Sequence, residues 1–519
     1  MSQGESFAGA RVTIMGLGLH GGGASAARFF ARKGADVTVT DLREERELSS
    51  SVEKLKDLPI RFVLGNHEVK DFEHADMVIK NPAVPRTSSY LARARRIETD
   101  ISIFLKQSSA RLVAITGSKG KSSTSAATHH ILSKTVGGCY LGGNITYSPL
   151  EFIEEAGPHS TVVLELSSFQ LGDLTMTPGG IAALTPQISM ITSIFPDHLD
   201  YYAGMEEYVA DKRLIYAGQG PGDWTIARDD DYGRSFLAET PAKPAEVSDA
   251  PPVRPGQVHH GRDEGEHAYA YLDGPVGFAC TGGREEEVVP ERLLVTGVHM
   301  RRNLLAAALG TRLLGVDAEA VREAVSSFPG IGHRLEHVRE RGGIHFYNDS
   351  AATIPEATLE AVSAFAQPVH LIAGGSDKNV DFGLFAHIRE RVARLYLLEG
   401  SAVGAITAVL ENAKGGAETG AAPADPGADM GTGPARGESG AAPGVTGAGG
   451  GPGAGADPAH LPSTVSGPFP SLESALGAAL SNARPGEIVI LSPGCASFGM
   501  FQNEFDRGRQ FRDLVADLE

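Results

Sequence analysis

Three cysteines in 519 residues, Cys139, Cys280 and Cys495, are too few and too scattered for a disulfide framework, and none has the close paired spacing of a thiolate zinc site. Such usage fits a reducing compartment. No uncharged apolar run approaches the roughly 20 residues that a membrane-spanning helix needs. The opening Met1-Ser-Gln-Gly-Glu5 passes into a strand-like run without the cationic, apolar and small-residue series of an export signal. Basic residues are also scarce, 46 against 64 acidic, and the net charge of -18 excludes a general binder of nucleic-acid phosphates or of anionic membranes. A soluble cytoplasmic protein is expected, meeting anionic ligands through local basic pockets.

What is present is material for several cores: 41% of residues are hydrophobic and 21% charged. At about 100 to 200 residues per domain, the length predicts three domains. Residues 11–41 read as strand (11–15), glycine-rich turn (16–23), helix (24–33) and strand (35–41), one βαβ unit with Asp41 closing its second strand. An acid there commonly holds a ribose hydroxyl in dinucleotide folds, although a glycine turn alone serves many nucleotides or none. A second strand, Arg111-Leu-Val-Ala-Ile-Thr116, runs into Gly117-Ser-Lys-Gly-Lys121-Ser-Ser123 and a helix of small residues. Further apolar runs at 161–165, 190–194, 345–347, 369–373, 394–398 and 487–491 alternate with helical segments, the pattern of α/β domains. Pro329-Gly330 marks a hinge. Residues 414–463 are dominated by Gly, Ala, Pro, Asp and Glu and are expected to be a disordered insertion splitting the third domain. The expected plan is thus an N-terminal Rossmann-like domain (1–108), a central parallel-sheet domain of phosphate-loop ATPase type (109–331) and a C-terminal Rossmann-like domain (332–519).

The loop at 117–123 is two residues tighter than the usual Walker pattern but keeps its physical parts. Amides at a helix N-terminus can cradle phosphates, Lys121 can bridge the terminal ones, and the Ser122 hydroxyl can ligate Mg2+. Glu165 ends an apolar strand, and Asp197-His198-Leu-Asp200 follows the next, so metal-competent side chains reach one sheet edge. Read alone, His198 is a capping or buried histidine and Lys212 a solvated helix lysine.

Together with Gly143-Asn-Ile145, Glu165-Leu-Ser-Ser-Phe-Gln-Leu171, Gly332-His-Arg-Leu-Glu336, Asn348-Asp-Ser350, Gly374-Gly-Ser-Asp-Lys378 and Leu491-Ser-Pro-Gly-Cys-Ala-Ser-Phe498, these motifs resemble the Mur ligase family, in its glutamate-adding branch. The resemblance spans nearly the whole chain. It implies an ATP- and Mg2+-dependent ligase of peptidoglycan precursor synthesis that acts as a monomer. Its substrates would be UDP-N-acetylmuramoyl-L-alanine and glutamate, with UDP in the first domain, ATP in the second and the amino acid in the third. By the same resemblance Leu19, Asp41 and Arg43 would contact uridine or diphosphate, and Asn144 and Ser167 the muramoyl-alanine. Thr116, Gly117, Ser118, Lys119, Gly120, Lys121, Ser122 and Ser123 would hold ATP, with Asn303 at adenine and Arg334 and Asp349 completing the nucleotide site. Ser122, Glu165, His198 and a carbamylated Lys212 would hold magnesium. Lys121, Glu165, His198 and Lys212 would be the catalytic set, and Thr353, Lys378 and Ser497 would bind glutamate.

The family pattern is broken in the amino-acid pocket, at Ala351, Ile354 and Glu504, so D-glutamate, L-glutamate and lysine stay open as substrates. Three other readings also compete. A nicotinamide-dependent oxidoreductase explains residues 16–41 but leaves 117–123 and 165–171 without a task. A nucleotide-binding scaffold would bind ATP without substrate-dependent phosphate release. A folylpolyglutamate synthetase-like ligase would need a pterin pocket.

Overall fold

The computed structural model describes residues 6–18, 21–145, 147–198, 201–252, 268–295, 297–377, 380–416, 464–497 and 499–518. The chain divides into two compact units, Met1–Ile331 and Gly332–Glu519. The first unit contains two sheets. β1 (Arg11–Met15), β2 (Asp36–Asp41), β3 (Ile60–Leu64), β4 (Met77–Lys80) and β5 (Ile97–Glu98) form a parallel sheet in the order β3-β2-β1-β4-β5. The helix Gly22–Arg32 makes the crossover from β1 to β2 and buries Ala24, Ala27 and Phe30 on the sheet. Strand order reverses between β1 and β4, which opens a crevice at their carboxyl ends, the place where ligands collect in such sheets.

The second sheet comprises β6 (Arg111–Thr116), β7 (Cys139–Gly143), β8 (Thr161–Glu165), β9 (Ile188–Ile191), β10 (Trp224–Arg228), β11 (Lys243–Ser248), β12 (Ala268–Asp273), β13 (Val276–Thr281) and β14 (Arg284–Val289). Its order is β14-β13-β12-β11-β10-β9-β6-β8-β7, with antiparallel pairing only at β12-β13 and β13-β14. β6 is therefore flanked by β8 and β9, with Ile115 level with Glu165 and Thr116 level with Ile191. Val162, Val163 and Leu164 of β8 are wholly buried. Each such side chain contributes about 1.5–3 kcal/mol, which fixes where Glu165 emerges. The β10–β14 extension was not expected from the sequence pattern. The expected boundary after residue 108 falls between the helix Asp100–Gln107 and β6, inside this one compact unit.

The second unit is built on β15 (Glu336–Arg341), β16 (Ile344–Asn348), β17 (Val369–Gly374), β18 (Arg394–Leu398), β19 (Thr464–Phe469) and β20 (Ile488–Leu491). The order is β15-β16-β20-β17-β18-β19, parallel except at β15-β16. The helix Val403–Gly416 extends into the first residues of the expected 414–463 insertion. The rest of that expectation, 417–463, lies outside the described residues. Regular structure resumes at Thr464, before the Glu487 at which the sequence pattern placed it. No helix among the described residues is long and apolar enough to cross a membrane.

Candidate active site

Asp41 sits at the crevice of the first sheet and accepts hydrogen bonds from backbone N–H groups. Its Oδ2 takes those of Leu17 (2.9 Å) and Gly18 (3.1 Å), and its Oδ1 that of Arg43 (3.0 Å). These bonds tie the turn after β1 to the end of β2. Across the crevice, Asn81 donates its N–H to Met15 O at 3.0 Å and closes the turn from the β4 side. The Arg43 side chain is exposed nearby, and Leu19, expected at the uridine or diphosphate, lies outside the described residues.

The loop after β6 is sewn to the segment after β9. Gly117, at φ +143°, has no room for a side chain, because a Cβ would stand 2.0 Å from Thr192 Oγ1. Thr192 Oγ1 donates to Lys119 O (2.6 Å) and Ser193 Oγ to the same oxygen (2.9 Å). Ser118 donates its N–H to Ser193 O and its hydroxyl to Phe195 O at 3.0 Å, and that hydroxyl lies 2.9 Å from the Tyr208 hydroxyl. Thr116 Oγ1 reaches Leu166 O at 2.7 Å. The loop is thereby preorganised at the start of the helix Lys121–Thr135, where Lys121, Ser122 and Ser123 form the first turn. Lys121 Nζ donates back to Gly117 O (2.9 Å) and Ser118 O (3.0 Å). Asn303, on the helix Val298–Leu313, packs against Gly120 so closely that a Cβ there would lie 2.6 Å from Asn303 Oδ1. Thr192 and Tyr208 were not singled out from the sequence.

Beside the loop, Glu165 is buried, with Oε1 accepting from Asn144 Nδ2 at 2.9 Å and Oε2 accepting no hydrogen bond among the described residues. Asn144 N–H also bonds Glu165 O at 2.8 Å. An unpartnered buried carboxylate oxygen is costly unless something cationic meets it. Ser167 caps the helix Ser168–Asp173, accepting the Gln170 N–H while Gln170 Oε1 accepts the Ser167 N–H. His198, at φ +55°, is neither buried nor a helix cap: its ring stands edge-on to Phe169 at 4.9 Å, with the side chain 46% exposed.

Lys212 corrects the solvated-lysine reading. It is almost wholly buried on the helix Met205–Arg213, its Nζ donating to Gly117 O at 2.9 Å and lying 4.5 Å from the centre of the Tyr208 ring. Burial first, and then the Lys121 cation, pull its amine down from the usual lysine range to about 7. Two lysines thus converge on one loop carbonyl, and one of them is readily neutral near neutral pH.

In the second unit, two left-handed residues, His333 (φ +65°) and Leu335 (φ +42°), bracket the exposed Arg334. Each such conformation costs on the order of 1–3 kcal/mol and must be held. Here Glu336 Oε2 accepts the His333 N–H at 2.8 Å, and Asp349 Oδ1 accepts the Leu335 N–H at 3.0 Å. Asp349 Oδ2 accepts from Ser492 Oγ at 2.6 Å. Arg507, not anticipated from the sequence, is fully buried and joins two motifs: it donates to Ser350 Oγ and Ser350 O, each at 2.9 Å, and to Cys495 O at 3.3 Å. Ser497 is buried and Thr353 half-buried, and Lys378, expected at the glutamate, lies outside the described residues.

Burial raises the Asp349 carboxyl to about 7, against the smaller opposing pull of its Ser492 and Leu335 hydrogen bonds. The folded value lies above the unfolded one of about 3.9, so between the two the folded state holds a proton that the unfolded chain has released. This contribution to stability is full below about pH 4 and is lost as pH rises through about 7. Unfolding midpoints of wild type and Asp349→Asn measured from pH 5 to 8 are expected to show the wild type losing stability relative to the variant. Parallel profiles would contradict the assignment.

Residues 10–103 match the description "Mur ligase MurD-like, N-terminal domain", and residues 115–309 match "Mur ligase middle domain". The chain is 38% identical over 515 residues to the UDP-N-acetylmuramoylalanine--D-glutamate ligase of Roseiflexus sp. (strain RS-1), covering 98% of this chain and 99% of that one. It is 36% identical to the enzyme of the same name from Treponema pallidum (strain Nichols), covering 98% and 97%. Among solved structures it resembles the UDP-N-acetylmuramate-alanine ligase MurC of Thermotoga maritima, with a TM-score of 0.52 at 17% identity over 98% of this chain and 99% of that one. That likeness is one of fold.

Proposed function

The chain belongs to the Mur ligase family, and on that premise we propose that it joins D-glutamate to UDP-N-acetylmuramoyl-L-alanine at the expense of ATP, a step of peptidoglycan precursor synthesis. The observation that carries the reading is the preorganised loop at 117–123 with the unpartnered oxygen of Glu165 beside it. A nucleotide triphosphate has somewhere to lie there, and a counter-ion has a ligand. We place the enzyme in the cytoplasm, the reducing compartment that its few, free cysteines fit.

The chemistry divides one difficult condensation into two steps. An oxygen of the L-alanine carboxylate attacks the γ-phosphorus, ADP leaves, and an acyl phosphate forms. The glutamate amine then attacks the acyl carbon and inorganic phosphate departs. Loop amides and the Lys121 ammonium offset charge on the transferring phosphoryl group. The residues fit Mg2+, which favours a carboxylate with phosphate and water oxygens: Glu165 Oε2 and the Ser122 hydroxyl would hold it, with His198 as a further ligand. When bound, it would neutralise charge across the phosphates. Among the described residues no three carboxylate, imidazole or thiol groups converge as a cage, so most of its ligands would come from substrate and solvent. Lys212 as a neutral amine can add CO2 to give a carbamate and one proton, placing an anion beside Lys121.

In the first sheet, Asp41 would act on the uridine end chiefly by shaping the turn, with Arg43 free to approach the ligand. Asn144 and Ser167 would face the muramoyl-alanine. Asn303 would approach adenine from its place against Gly120. In the second unit, Thr353, Lys378 and Ser497 would bind the glutamate.

Substrate labelled with 18O in the alanine carboxylate tests the acyl phosphate. One label per turnover should appear in the released phosphate. Phosphate free of label would rule out attack by that carboxylate.

A further inference from the structure

Three elements of the first unit meet at a row of alternating charge, buried at Lys80 and Asp173 and partly exposed at Arg86, that the reaction above leaves without a task. Lys80, the last residue of β4, donates to Asp173 Oδ2 at 2.5 Å, with both side chains 1% exposed. Asp173 Oδ1 accepts no hydrogen bond among the described residues and faces Arg86 Nε at 3.9 Å. Arg86 in turn donates through Nη2 (2.5 Å) and Nη1 (3.4 Å) to the two oxygens of Asp211, which also accepts from the Tyr202 hydroxyl at 2.9 Å. The row runs +, −, +, − from the crevice of the first sheet to the helix Met205–Arg213.

Gly172 makes the junction possible. A Cβ there would lie 2.3 Å from Asp211 Oδ2 and 2.6 Å from Arg86 Nη1, so the helix Ser168–Asp173 leaves a notch filled by the ion pair. Buried charges pair at a desolvation cost that often cancels their attraction, so this row is poorly explained as a source of stability. It is better explained as a source of geometry. The helix Met205–Arg213 has no side-chain cap at its N-terminus, and its rotation must be set by what holds its sides. Asp211 and Lys212 are consecutive, hence about 100° apart around the helix axis. Clamping Asp211 between Arg86 and Tyr202 therefore directs Lys212 toward Gly117 O, where its Nζ lies.

We propose that Arg86 is a positioning residue, which through Asp211 aims the Lys212 amine at the phosphate loop and so sets how readily that amine takes up CO2. Arg86 lies five residues beyond Asn81, which closes the turn after β1. The clamp therefore joins the crevice of the first sheet to the Lys212 amine. The inference rests on the reading that Lys212 is carbamylated.

The test uses the full-length enzyme equilibrated with 13C-bicarbonate, with Lys212→Met as the assignment control for the carbamate resonance. Arg86→Met removes the clamp's charge, and Gly172→Ala inserts a methyl into the pair while leaving every charge in place, so Gly172→Ala carries the test if Arg86→Met folds poorly. Both are expected to weaken the resonance, to raise the bicarbonate needed for half-maximal turnover, and to lower kcat about ten- to a hundredfold with little change in KM for ATP. Arg86→Lys should recover part of each. A wild-type enzyme without the resonance removes the carbamate and the positioning role together. A resonance equal in wild type, Gly172→Ala and every folded Arg86 variant overturns the positioning role alone.

Discussion

Replacing Lys121 with alanine is expected to cut phosphate release at least about 10²- to 10³-fold, the scale seen when one preorganised transition-state donor is lost. The ammonium stands on the first turn of the helix Lys121–Thr135 and bonds Gly117 O and Ser118 O, at the point where the loop would receive the terminal phosphates. Those two bonds are to carbonyls that the loop holds in place by other means. Thr192, Ser193 and the Ser118 hydroxyl brace it independently. Folding should therefore survive, and thermal unfolding should separate a damaged site from a damaged fold. Near-normal turnover in a folded variant would remove the phosphate-loop role.

The second large effect belongs to Lys212. Lys212→Met keeps the length and bulk of a buried side chain and removes the amine. If the amine served only as a donor to Gly117 O, its loss would be mild. A net hydrogen bond contributes about 0.5–1.5 kcal/mol, and ending the burial of a charge-competent amine works in the opposite direction. The expected outcome is an unfolding midpoint equal to or above the wild type, with kcat lower by about two orders of magnitude or more. A folded Lys212→Met enzyme with wild-type kcat would show the residue to be structural.

How far these assignments could be read from residues alone depends on the range of the contacts behind them. Strand β6, its glycine loop and the following helix are contiguous, and local pattern with turn chemistry suffices to place Lys121 and Ser122. Glu165 was legible because it ends an unbroken buried strand. The burial of Lys212 was not, since a helix carrying Glu206, Glu207, Asp211 and Arg213 reads as solvated, and only packing against Tyr208 and Gly117 encloses the amine. Thr192 and Ser193 carry no signature of their own, and their hydroxyls matter because β9 lies beside β6. The strands β10–β14 escaped notice for a related reason. Arg284-Glu-Glu-Glu-Val-Val289 is largely polar and becomes a strand by antiparallel pairing with β13. In the second unit, Arg507 joins segments about 150 residues apart by hydrogen bonds to Ser350 and Cys495, which no local spacing reveals.

The proposed reaction couples ATP cleavage to one amino acid and one nucleotide-sugar acceptor. The direct measurement is phosphate release by the purified protein with ATP, magnesium and UDP-N-acetylmuramoyl-L-alanine, offering D-glutamate, L-glutamate and L-lysine in separate reactions. Release that requires the acceptor and occurs with D-glutamate alone is the predicted result. Release with L-glutamate or L-lysine in place of D-glutamate would contradict the substrate assignment, and no release with any of them would contradict the ligase itself.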